Sequence, residues 1–272
     1  MEGIVKGSFG EILARYRKKG NFTQEEIANP ELKLSASHIA LLESSGSEKE
    51  AKSPRSRKQV WHLVEKLKIF PPDLDDFLEA AGQTVLRDEE EELFIQRHYP
   101  DLKELWIFAK IIRDFDEKWY ETVKYNICER ENAEGIKVGV KYCYFTSDEK
   151  TCSDLVEQLL NDGCPEETIT NNIECFLLPD EFFLNNFAIY NPSEKNLSMY
   201  GCGGIAIQGK AFSFYTCERS EALYFFKTLK YLKQRILKNQ QIALRDARFI
   251  QFPVNDSPAK VSRSRFTQRK EY

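Results

Sequence analysis

Histidine is scarce in this chain and missing from most of it. Only His38, His62 and His98 occur, so residues 99–272 contain none. That stretch therefore holds no Ser-His-Asp or Cys-His arrangement and no histidine-ligated metal of its own. Cysteine is absent before Cys128. The seven cysteines, Cys128, Cys143, Cys152, Cys164, Cys175, Cys202 and Cys217, are odd in number and form no Cys-x-x-Cys pair. Buried free thiols are the expectation, in place of a disulfide framework or a zinc site. No apolar run approaches the ~18 residues that span a bilayer. Met1–Gly10 lacks the basic stretch and apolar core of a signal peptide. The reading is a cytoplasmic protein that does not engage membranes. Excess positive charge is missing too: 39 Lys+Arg against 43 Asp+Glu give a net −4. That balance argues against a non-specific nucleic-acid coat. It does not argue against a duplex binder with its cations gathered on one face.

What is present fits two modest domains. The chain has 272 residues, 42% of them hydrophobic. Residues 8–82 read as five short helices. Phe9, Ile12, Leu13 and Tyr16 share one face of the first, which Gly20 ends as a left-handed cap. Thr23 and Glu26 form a capping box for a second helix, Gln24 to Asn29, broken by Pro30. Ser35 caps a third from Ala36 to about Glu43, with Ile39 and Leu42 inward. Residues 44–57 read as a polar loop. A fourth helix, about 56–68, buries Val60, Leu63, Val64 and Leu67. A fifth follows Pro71-Pro72 and ends at Ala81-Gly82.

Residues 83–100, with the run Asp88 to Glu92, read as an acidic, solvated connection. From residue 101 to about 254 the pattern alternates between strands and helices. Strands are expected at 105–109, 138–145, 174–178, 187–190, 204–208 and 212–217, and helices at 119–128, 153–161 and 220–239. The fold class is therefore multi-domain: an all-α five-helix domain (1–82), then an α/β or α+β domain (101–254). Residues 255–272 read as a disordered basic tail.

The segment "FGEILARYRKKGNFTQEEIANPELKLSASHIALLESSG" resembles the XRE family of lambda-repressor and Cro-like domains. Thr23-Gln24-Glu25-Glu26-Ile27-Ala28 matches the family's first block, and Ser35, Ile39, Leu42 and Glu43 match its second. The likeness closes on "DDFLEAAG" and covers about 80 residues. Two features depart from the pattern: Lys33 stands where a glycine is usual, and the turn through Asn29-Pro30-Glu31 is one residue longer. The loop after the third helix is expanded by roughly ten residues as well.

The resemblance implies a helix-turn-helix whose second helix enters the major groove of double-stranded DNA. Ser35 would start that helix, and Ala36, Ser37, His38 and Ala40 would face the bases. Serine suits several bases, and Ala36 can meet a thymine methyl. Gln24 would hold a phosphate or brace the helix. Phosphates would be met by Arg15, Arg17, Lys18 and Lys19, by Lys33 in the turn, and by Arg55, Arg57 and Lys58. Residues 1–82 carry 13 basic and 13 acidic side chains, so this face must be polarised.

The C-terminal part is less legible. "WYETVKYNICERENAEGIKVGVKYCYF" resembles regulatory domains attached to bacterial helix-turn-helix proteins, with a distant likeness to phospholipase D-like folds whose His-x-Lys pair is missing here. Asn126, Lys141, Tyr142 and Tyr144 are candidates to line a small-molecule pocket, or to be core. Gly201, Gly203 and Gly204 read as a tight turn, since no Gly-Lys-Ser/Thr follows. The function expected is a homodimeric, sequence-specific transcriptional repressor without enzyme activity, cofactor or metal, its C-terminal domain open to a small-molecule or protein effector. The alternative is a protein-interaction adaptor or antitoxin-like protein whose C-terminal domain binds a protein partner. An enzyme using Asp114 and Asp116 ranks last, because no paired acid/base pattern stands out.

Overall fold

Ser8 starts the first helix by chemistry visible in the sequence. Its Oγ accepts from the Glu11 N–H, and the Glu11 carboxylate accepts from the Ser8 N–H at 2.8 Å. The computed structural model describes residues 7–44, 56–71, 73–110, 112, 117–132, 134–183, 186–192, 198–203, 213–216, 219–238 and 248–250. The segments expected as the 44–57 loop and the C-terminal tail fall largely or wholly outside these, as do strand 204–208, Gly204, Arg55, Asp114 and Asp116.

Four α-helices lie among the described residues of 1–82: α1 (Phe9–Lys19), α2 (Ala36–Ser44), α3 (Arg57–Leu67) and α4 (Asp73–Ala80). Leu13, Ile27, Leu34, Ile39, Leu42, Val60, Leu63 and Phe77 are fully buried between them. α1 and α2 meet so closely that a Cβ on Gly10 would stand 2.2 Å from the Leu42 carbonyl oxygen. Only glycine fits that crossing.

Two local expectations fail here. The helix at 24–29 is a single hydrogen-bonded turn over residues 24–27. Thr23 and Glu26 do cap each other reciprocally, at 2.7 and 3.2 Å. The helix does not propagate because Asn29 is extended (φ −142°) and pairs its N–H and C=O with Leu34 at 2.7 and 3.0 Å. Pro30 disfavours helical geometry at the residue before it. The left-handed residue after α1 is Asn21 (φ 56°), while Gly20 keeps ordinary right-handed angles.

α5 (Glu89–His98) begins at Asp88, which closes a capping box with Glu91. The run 88–92 is not a solvated face, because Glu91 and Glu92 are buried. Arg57 grips Glu91 at 2.9 and 2.8 Å, and Arg87 meets Glu92 at 3.2 Å. Buried carboxylates persist only with such partners.

Beyond α5 lies a mixed sheet of order β6-β5-β4-β1-β2-β3-β7. Its strands are β1 (Glu104–Phe108), β2 (Lys141–Thr146), β3 (Ile173–Leu177), β4 (Asn186–Tyr190), β5 (Ser198–Gly203), β6 (Ser213–Thr216) and β7 (Arg248–Ile250). β1, β2 and β3 run parallel, and the other pairings are antiparallel. The two parallel connections pass through α6 (Glu117–Lys124), continued by a π-helical turn Tyr125–Glu129, and through α7 (Glu149–Asn161) and α8 (Glu166–Asn172). The fold is thus mixed α/β.

Alternation along the strands separates two cores. Leu105, Tyr142, Tyr144 and Cys175 join a cluster that runs through Ile95 to Phe9 and Phe77. Trp106, Phe108, Cys143, Phe145 and Phe176 face α9 (Arg219–Leu237) through Phe226, Leu229 and Leu232. Residues 141–146 are nearly all buried because both faces of β2 are covered. Gly201 and Gly203 lie within β5, not in a turn.

The cysteines correct another expectation. Cys128 and Cys164 form a disulfide, with Cα atoms 5.9 Å apart. It ties the π-helical turn to the connection between α7 and α8. Cys143 and Cys175 are buried free thiols, and Cys152 is buried as well.

Candidate nucleic-acid interface

α2 presents a small polar face. Ser35 caps it, its Oγ accepting from the His38 N–H at 3.2 Å and lying 3.0 Å from Ser37 Oγ. Ser35 and Ser37 are exposed, Ala36, His38 and Ala40 half-buried, and Ile39 and Leu42 point into the core. Leu41 is exposed at 44%.

One carboxylate fixes this helix to the elements before it. Glu43 accepts from Arg17 Nε at 2.6 Å and Nη2 at 2.9 Å, and from Gln24 Nε2 at 2.8 Å. Arg17 also donates to the Phe22 carbonyl at 2.8 Å. Burial pushes the Glu43 pKa up, but the hydrogen bonds from Arg17 and Gln24 and the charges of Arg17 and Lys18 outweigh it. The net direction is below the usual carboxylate range. Gln24 is therefore a brace, and Arg17 is engaged in the same joint.

The turn leading into α2 is held from the other side by α3. Gln59 Nε2 donates to the Leu32 carbonyl at 2.8 Å. His62 places Nε2 3.2 Å from the Ile27 carbonyl and Nδ1 3.5 Å from Asn29 Nδ2. Asn29 Oδ1 accepts from the Glu31 and Leu32 N–H groups at 3.1 and 3.3 Å. Lys33 sits at φ 56°, ψ 33°. The left-handed backbone that glycine would favour is thus present, occupied by lysine.

Four expected cations, Arg15, Lys18, Lys19 and Lys33, are exposed and make no ion pair among the described residues. Lys58 is exposed too. Arg57 is placed differently. It binds Glu91, donates to the carbonyls of Thr84 and Leu86, and lies 5.5 Å from the Trp61 ring. It anchors the α4–α5 connection and is not left for a phosphate.

Three of the C-terminal candidates, Asn126, Tyr142 and Tyr144, are core, and Lys141 is half-buried. Asn126 is fully buried, donating to Tyr142 Oη at 2.8 Å and the Gln96 carbonyl at 3.1 Å, and accepting from Arg130 at 3.1 Å. Lys141 pairs with Glu174 at 2.7 Å. Tyr142 and Tyr144 stack, rings 6.0 Å apart. Among the described residues no group of His, Cys, Asp or Glu is placed to hold a metal, and no helix is long and apolar enough to cross a membrane.

Sequence reading missed Gln59 and His62 as holders of the turn. Their signal was two polar residues a helical turn apart beside Val60, Leu63 and Val64. No family model matches the chain, and no curated protein matches it.

Proposed function

We propose that residues 1–82 form an XRE-type helix-turn-helix and that the protein is a sequence-specific DNA-binding transcriptional regulator. In this reading α2 enters the major groove, and the protein acts as a homodimeric repressor. Residues 101–254 supply dimerisation and sensing, and 83–100 connect the two parts. The observation that carries the reading is the Glu43 joint with Arg17 and Gln24, which holds α2 with Ser37 outward and the cations Arg15, Lys18, Lys19 and Lys33 exposed. A rigid helix with short polar side chains beside uncommitted cations is what combined base and phosphate contact requires. Self-association draws support from α9, where Tyr224 is 67% and Tyr231 55% exposed, two turns apart.

A protein-binding adaptor is the second reading, favoured by Leu41 standing exposed on the same helix. A salt series on Arg15→Gln/Lys18→Gln separates the two. The regulator reading expects the slope of log K against log salt for duplex DNA to shrink by about 2. An unchanged slope, or no duplex binding at low salt, favours the adaptor.

A further inference from the structure

A cleft of about 800 Å³ opens between the C-terminal end of α1 and the sheet, where β1 begins and β4 ends. Its size lies within the range of small-ligand sites. Three lysines from separate parts of the chain line it: Lys19 from α1, Lys68 at the end of α3, and Lys103 just before β1. None is in an ion pair among the described residues. Of the acids lining the same cleft, Asp73 already accepts from Tyr16 Oη at 2.5 Å. Glu104 accepts from the Trp106 indole N–H at 2.7 Å and lies 3.9 Å from Lys233. Asp101 is the remaining acid, and it is exposed. Tyr16 is neutral and leaves the Asp73 charge in place, so three lysines stand against Asp73 and Asp101, with Glu104 beside Lys233, and the cleft keeps a small positive excess.

The wall is aromatic. Phe70 is buried, stacked on both Phe94 and Tyr99 at 6.0 and 5.6 Å, so the half-buried Tyr99 is the ring left to meet a ligand. Beside them Asn191 takes left-handed backbone, φ 45°, a conformation asparagine tolerates. Its side chain accepts from the Lys103 N–H at 2.8 Å and donates to the Asp101 carbonyl at 2.9 Å.

We propose that this cleft binds a nucleotide, its phosphate met by Lys68, Lys103 and Lys19 and its planar base set against the Tyr99 ring. Lysine ammonium groups serve as point charges for phosphate, and aromatic rings favour offset stacking. The site does not depend on the DNA-binding reading and is tested without DNA.

Calorimetric titration of the full chain with AMP, GMP, CMP and UMP, their nucleosides and inorganic phosphate is the test. At least one mononucleotide should bind saturably, with its nucleoside and inorganic phosphate each about tenfold weaker or more. Lys68→Asn/Lys103→Gln should weaken the mononucleotide about tenfold, asparagine being chosen because it tolerates the left-handed backbone of Lys68. Should that double variant lose its circular-dichroism signal, Lys19→Gln at an exposed position serves instead, with a smaller loss of affinity. No saturable binding by any of the four at about 1 mM, affinity unchanged in the variants, or inorganic phosphate binding as tightly as the mononucleotides would each overturn the proposal.

Discussion

Arg17 on α1 holds Glu43 on α2 through two hydrogen bonds, at 2.6 and 2.9 Å, across 26 residues of sequence. Both side chains are largely shielded, at 15% and 9% exposure. Removing one partner leaves the other charge shielded from water without its counter-ion. Glu43→Leu should lower the unfolding free energy by about 2–3 kcal/mol, and Arg17→Met/Glu43→Leu should lose less than Glu43→Leu alone. Chemical denaturation of the three proteins checks this. Equal or greater loss in the double variant would show that the pair is not what holds the joint.

Lys33 offers a test of backbone geometry. At φ 56° a lysine is tolerated, a glycine is relaxed and a β-branched residue is strained. Lys33→Val should cost about 1–2 kcal/mol, while Lys33→Gly should stay within about 1 kcal/mol of the wild type. Thermal unfolding at fixed pH distinguishes the two.

His62 should make stability depend on pH. Burial lowers its pKa below the ordinary 6.5. With Nε2–H donating to the Ile27 carbonyl and Nδ1 accepting from Asn29, the neutral ring is satisfied and the imidazolium is not. The unfolded chain then takes up a proton at higher pH than the folded one. The stability associated with this group is present above the unfolded value and is lost as pH falls through the folded value. His98, also lowered mainly by burial, acts in the same direction. Tm should fall between pH 7.5 and 5.5, and by a smaller amount in His62→Gln.

The Cys128–Cys164 link closes a loop of 36 residues. Chain-entropy reasoning gives it about 3–4 kcal/mol, acting through the unfolded state. Cys128→Ala/Cys164→Ala should unfold at correspondingly lower denaturant concentration. A reductant should shift the wild type toward the variant and leave the variant unmoved.

Much of the fold could be read locally. Phe9, Ile12 and Leu13 marked α1, Ser35 marked the start of α2, and the apolar run at Leu105–Phe108 marked β1, because spacing and capping are short-range signals. What stayed hidden was decided at long range. Thr23 and Glu26 form the same box whether one turn or three follow, and only the pairing of Asn29 with Leu34 ends the helix. Glu91 reads as solvent-facing until Arg57 arrives from α3, 34 residues away. Spacing alone did not pair Cys128 with Cys164. In the candidate interface the exposed cations of α1 were legible. The roles of Arg17 and Arg57 were not, since their acceptors lie 26 and 34 residues away.

The central claim is that α2 reads DNA sequence. Its most direct test is selection of duplexes from a random pool, followed by anisotropy binding of the selected duplex and of bulk DNA to wild type and Ser37→Ala/His38→Ala. The account predicts that the variant loses about tenfold or more on the selected duplex and little on bulk DNA, with circular dichroism unchanged. Equal affinity of both proteins for both DNAs would contradict it.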